Sequence, residues 1–182
     1  SDVFIDNSEF INNVNEDFLN IVNSNFVITD SKFSNVFSDA IDIDFGTGDL
    51  KNSSFKSING DGFDTSGSKT LIINNFFKDV MDKAISIGEK SITKIENNEI
   101  TNSNIGIAIK DGSKAQIINT KIDKSKLADI MSYNKKSFFG NSFLNISNTD
   151  QDLMIKIQAG SEALFNGEKI IPQKINVRKL YN

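Results

Sequence analysis

Apolar residues alternate with polar ones along this chain, and the whole pattern recurs about every 22 residues. Phe10, Phe33, Phe55, Phe77, Ile100, Ile122 and Phe143 follow one another at intervals of 21 to 23 residues. Five positions before each lies another apolar residue: Ile5, Ile28, Leu50, Ile72, Ile95, Ile117 and Phe138. Three positions before each of the first six stands Asn7, Asp30, Asn52, Asn74, Asn97 or Asn119. A further strand is marked by Leu19, Ile41, Phe63, Ile85 and Ile107, with Ile21, Ile43, Thr65, Ile87 and Ile109 two residues on. Alternation with period two points these residues inward and their neighbours outward. Val36, Ile58, Val80 and Ile146 mark a third short stretch.

Three short strands per repeat predict an all-β solenoid, a right-handed parallel β-helix of about seven coils over residues 1–148. Helices are disfavoured because Asn, Ser, Thr and Asp interrupt the apolar residues every few positions. Equivalent side chains of successive coils then stack at about the 4.8 Å strand spacing and form ladders. The Asn column reads as a turn ladder, since Asn bonds its own turn and tolerates left-handed backbone. These turn ladders make the chain resemble the pectate-lyase-like superfamily of β-helices from about Phe4 to Asn148. After Asn148 the repeat dissolves. Leu153 to Ile157 predicts one more strand, and Asn166-Gly167 a hairpin turn, so residues 149–182 are read as a C-terminal cap.

Composition narrows the chemistry. Among 182 residues there is no Cys and no His, which removes disulfides, thiolate sites, Ser-His and Cys-His nucleophile systems and most zinc, copper or iron sites. Catalysis would have to use carboxylates, Lys, Tyr or a hard cation. The net charge of −4 disfavours nucleic acid, and no run of about 18 apolar residues suits membrane insertion. Oligomeric state is not legible. The chain opens inside a repeat, which suggests a fragment of a longer protein.

Ladder logic singles out one column. Asp39-Ala40-Ile41-Asp42-Ile43-Asp44 is followed one coil later by Asp61-Gly62-Phe63-Asp64 and preceded by Asp17-Phe18-Leu19-Asn20. Stacking then sets Asp39 by Asp61 and Asp42 by Asp64, with Lys83 and Ser86 taking those phases in the next coil. Like charges about 5 Å apart persist only if a cation, a shared proton or solvent relieves them. Calcium suits such a set because it takes six to eight oxygen ligands. A solvated acidic stripe with Lys83 as a salt-bridge partner explains the same residues. Glu89 and the run Lys110-Asp111-Gly112 read as a solvated turn, and Tyr133 as exposed at the end of the stack.

The segment Gly60-Asp61-Gly62-Phe63-Asp64 resembles the Asp-Gly-aromatic-Asp segment of family-9 polysaccharide lyases. The resemblance implies Asp39, Asp61 and Asp64 as calcium ligands, Asp42 as an added candidate and Lys83 as the base that removes a C5 proton. It implies a calcium cofactor, an acidic polysaccharide as partner, a lyase or epimerase reaction, and a place outside the cell or on its surface. The pattern departs from the family in lacking a double Asp before Gly62 and any Arg near the repeats. The alternative is a non-catalytic structural or adhesin module of a larger surface protein, its acidic column stabilised by calcium or merely hydrated; the capped tail and the Asp-Gly-Phe-Asp coils also resemble β-helix domains attached to CotH-type proteins.

Overall fold

A computed structural model describes residues 1–149 and 152–181. Each coil consists of short strands separated by corners, and the strands pair in parallel with their equivalents in neighbouring coils, giving a β-solenoid of about seven turns. The first face stacks Asp2–Asp6, Asn25–Thr29, Thr47–Lys51, Lys69–Ile73, Ile92–Glu96, Lys114–Ile118, Phe143–Ser147 and Glu162–Phe165. The second face begins with Glu9–Ile11, Lys32–Val36 and Ser54–Ile58, and the third with Leu19–Val22, Ile41–Asp44 and Phe63–Ser66. Second and third faces merge in the long strands Phe76–Gly88 and Glu99–Lys110, which pair with one another through a register shift between Val80 and Lys83.

The corners form where the sequence supplies residues that tolerate positive φ. Asn7, Asp30, Asn52, Asn74, Asn97 and Asn119 all have φ between 44° and 57°. This is the conformation the Asn column predicts, and Asn119 donates to Asn97 (2.7 Å) as Asn74 does to Asn52 (3.3 Å). A second corner is left-handed at Asn12, Asn35, Ser57, Asp79, Asn102 and Lys124, and a third at Asn23, Phe45 and Gly67. Immediately after the first corner, Ser31, Ser53, Asn75 and Asn98 are buried. Each of these donates its backbone N–H to the next coil's side chain, as in Asn75 to Asn98 Oδ1 at 2.9 Å. The corner's buried polar groups are therefore paired, as burial requires.

Inside, the inward columns pack as ladders. Phe10, Phe33, Phe55 and Phe77 stack nearly parallel at centroid separations of 4.6, 4.9 and 4.5 Å, and Ile100 and Ile122 continue the column. Ile28, Leu50, Ile72, Ile95, Ile117 and Ile146 form the facing column and are fully buried. Each such side chain contributes about 1.5–3 kcal/mol by leaving water.

The last coil corrects the alignment. Phe143 pairs with Lys114 and Ile146 with Ile117, so Phe143 begins a first-face strand, and Ile146 belongs to the column of Ile5. Phe138 is exposed. The cause is an enlarged turn containing the 3-10 segment Ser137–Phe139, which delays the corner residue from Asn119 to Asn148.

The expected C-terminal cap, 149–182, includes residues 150, 151 and 182, which lie outside the described residues. Beyond them, Ile155–Ile157 stacks on Ala128–Tyr133, and Glu162–Phe165 forms an antiparallel hairpin with Glu168–Lys169. Its turn residues, Asn166 and Gly167, both have positive φ, which is the Asn-Gly geometry the sequence predicts. The tail then crosses the outside of the third face, where Ile175, Val177 and Leu180 pack on Ile105, Ala108, Met131 and Tyr133. Tyr133 is therefore buried rather than exposed, and its hydroxyl lies 2.8 Å from that of Tyr181.

Candidate metal centre

The corner leading into the third face repeats a carboxylate instead of an amide. Asp17 Oδ1 accepts from Asp39 N–H (3.3 Å), Asp39 Oδ1 from Asp61 N–H (2.6 Å), and Asp61 Oδ1 from Lys83 N–H (2.9 Å). Each carboxylate thus ties down the backbone of the next coil. Glycines flank Asp61 because the stack is tight there: a Cβ on Gly60 would collide with Oδ1 of Asp39, and one on Gly62 with the carbonyl of Ala84.

Three residues on, outward positions pair in register as Asn20, Asp42, Asp64 and Ser86. Carboxylate oxygens of Asp39, Asp61 and Asp64 all lie within 4.8 Å of one another. The structure thus brings together three of the four expected acids. Asp42 is outside that trio but adjoins Asp64, and it accepts from Asn20 Nδ2 at 3.1 Å.

These acids are held under electrostatic tension. Burial, with Asp64 and then Asp44 adding, pushes Asp42 up to about 7. Burial also raises Asp39, against the pull of the Asp61 N–H and with Asp64 adding. Asp61 is buried and pushed up by that burial despite the opposing Lys83 ammonium.

Lys83 is buried too, at 4% exposure, with its ammonium 3.1 Å from Asp61 and 2.5 Å from Asp82. Burial alone would lower its pKa, but Asp61 and Asp82 outweigh that and hold it above the ordinary lysine range. In this arrangement Lys83 is an ammonium within the column and not an exposed neutral amine.

Sequence reasoning missed two participants. Lys110 is buried with its ammonium 3.7 Å from Asp64, and the end of its side chain lies near Gly88, where no Cβ stands in the way. Asp111 is also buried and accepts the Lys136 N–H (2.6 Å), so Lys110-Asp111-Gly112 is not the solvated turn expected. Lys110 pairs in register with Tyr133, which marks it as an outward position on the third face. The tail's cover of neighbouring positions on that face has no signature in the repeat. Asp82, the other omission, is simply the residue before Lys83.

An all-β solenoid with a carboxylate column at one corner defines the class of protein. Residues 64–172 match the family described as the right handed beta helix region, and the chain belongs to that family. No curated protein matches it. Among solved structures, it is similar to QnrB1, a plasmid-mediated fluoroquinolone resistance protein, at 9% identity with a TM-score of 0.30, over 91% of this chain and 92% of that one. No helix among the described residues is long and apolar enough to cross a membrane.

Proposed function

We propose that this protein is a calcium-binding β-helix, close to the pectate-lyase-like group, that binds an acidic polysaccharide outside the cell or at its surface. The observation that carries the reading is the convergence of Asp39, Asp61 and Asp64 within 4.8 Å. All three offer hard anionic oxygen, the donor type calcium prefers. One buried oxygen beside them also lacks a partner: Ser86 Oγ, in register with Asp64. A cation there would relieve the burial and mutual repulsion that raise Asp39, Asp42 and Asp61. Asp39, Asp61 and Asp64 would hold it, with Asp42 alongside, and it would supply a positive centre for a uronate carboxylate.

Binding without cleavage is favoured over elimination. A Brønsted base must be neutral and within reach of its proton. Lys83 is instead an ammonium enclosed by Asp61 and Asp82. A second reading, a purely structural module, is favoured by the backbone hydrogen bonds that Asp17, Asp39 and Asp61 accept.

Calcium titration of chelator-dialysed protein, followed by calorimetry and thermal melting, separates the two. The expected result is a saturable heat and a higher Tm, both lost in Asp39→Asn and Asp64→Asn. Absence of both in the wild type leaves the structural module. Accumulation of an unsaturated uronate from pectate or alginate would restore the lyase reading.

A further inference from the structure

The outside of the first face holds a groove of about 530 Å³, separate from the acidic column. Two outward columns border it, and its floor includes Gly48, Thr70, Thr93 and Ala115. One border reads Lys69, Ile92, Lys114 and Phe143 in strict register from coil to coil. All four side chains are exposed, Ile92 at 52% and Phe143 at 39%. The opposite border contributes Asp49 and Lys94. Asp49 is neutralised by Lys51 (2.7 Å), whereas Lys69 and Lys114 have no carboxylate within 4.0 Å among the described residues. Lys94 is likewise paired, with Glu96 at 2.6 Å, so in a chain of net charge −4 the two unpaired lysines, Lys69 and Lys114, make this groove locally positive.

We propose that this groove binds an extended, carboxylated glycan running across the strands, without calcium. Charge and apolar surface alternate along the border at one-strand intervals of about 4.8 Å, close to the rise of one sugar ring. In an extended glycan whose successive rings turn over, carboxylates on one side recur every second ring. That is the spacing of Lys69 and Lys114, two strands apart. Ile92 and Phe143 stand on the alternate rungs, where they meet the apolar C–H faces of the intervening rings. A polyphosphate fits less well, because its charge is denser than two free lysines can match and the rest of the chain repels it. The ligand class rests on the proposed function, whereas the location and the independence from calcium do not.

The test uses the full chain with mannuronate and galacturonate oligomers, titrated calorimetrically in chelator and again in calcium. Binding is expected in chelator, weakening steeply with salt, and Lys69→Gln/Lys114→Gln is expected to lose at least tenfold in affinity with an unchanged melting curve. Asp64→Asn should keep that binding. Failure of the calcium titration alone sinks the metal reading and leaves the groove standing. The groove proposal is overturned if binding vanishes in chelator, if the lysine variant binds as the wild type does, if an uncharged glucan oligomer binds equally, or if single-stranded nucleic acid binds more tightly.

Discussion

Two corners of the same solenoid solve the same problem differently. At the corner of Asn52, Asn74, Asn97 and Asn119, four successive coils each offer a neutral residue in left-handed backbone, and the buried residue after it bonds the next coil. Each amide supplies both donors and an acceptor, so neighbouring amides bond one another without accumulating charge, as Asn74 does with Asn52 and Asn119 with Asn97. At the corner of Asp17, Asp39 and Asp61, the side chains can only accept. They fix the next coil's N–H groups as well as an amide would, but charge accumulates with each coil. The fourth member is Lys83, and beside it Lys110 reaches back toward Asp64. An uncharged ladder is a structural solution complete in itself, whereas a charged one needs something from outside its own column.

That contrast breaks most forcefully at Lys83. Lys83→Met leaves Asp61 buried with its carboxylate unpaired, which costs about 3–5 kcal/mol at neutral pH. Urea denaturation of the variant measures it. Adding Asp61→Asn should recover most of the loss, because Asn keeps an oxygen for the Lys83 N–H and sheds the charge. A single variant as stable as wild type would mean that the two corners do not differ in the way described.

The acidic corner should also make stability depend on pH in an unusual direction. Asp42 is raised from the ordinary carboxylate value to about 7, so between roughly pH 4 and pH 7 the folded state holds a proton that the unfolded chain has released. Stability contributed in this way is present below the unfolded pKa and is lost as pH rises through the folded one. Without calcium, the folded protein should lose about 1–2 kcal/mol from Asp42 across that window, once solvent screening of the half-open carboxylate is allowed for. Asp42→Asn should flatten the slope, and saturating calcium should do the same in wild type. Thermal melts at fixed ionic strength from pH 4 to pH 8 report both, and a stability that climbs through this range would contradict the raised carboxylate.

How much of this was legible in the sequence follows from what sets each feature. Inward columns and the Asn corner are periodic, so Phe33, Ile72 and Asn74 could be placed from spacing alone. Their environment is another copy of themselves. Phe143 and Ile146 were misplaced because the turn around Ser137–Phe139 adds residues without adding a coil. That Asp39 adjoins Asp61 and Asp42 adjoins Asp64 was readable because it depends only on stacking, whereas the compact trio that takes in Asp64 and leaves Asp42 outside was not. The burial of Lys110, Asp111 and Tyr133 was not. At Tyr133 the burial comes from contacts such as that with Tyr181, far along the chain and outside the repeat.

The neutral corner gives the smallest effect and the cleanest control. Asn74 has φ 57°, its N–H bonds Glu96 O, and its exposed amide bonds Asn52 at only 3.3 Å. Asn74→Ala removes that exposed hydrogen bond and places a Cβ-bearing residue without a polar side chain in left-handed backbone, for an expected cost of about 1 kcal/mol. Asn74→Gly removes the same hydrogen bond but adopts this φ freely, so its cost should stay within about 0.5 kcal/mol, offset only by the greater freedom of its unfolded chain. The order of the two variants therefore separates backbone conformation from side-chain bonding. If Gly costs as much as Ala, the hydrogen bond that both variants lose holds the corner. If Ala is the worse, the left-handed turn does, and Asn recurs there because it is the residue with a Cβ that strains least. The cost of neither variant should change with calcium or pH, because both keep the acidic corner intact and differ from wild type only at the neutral one.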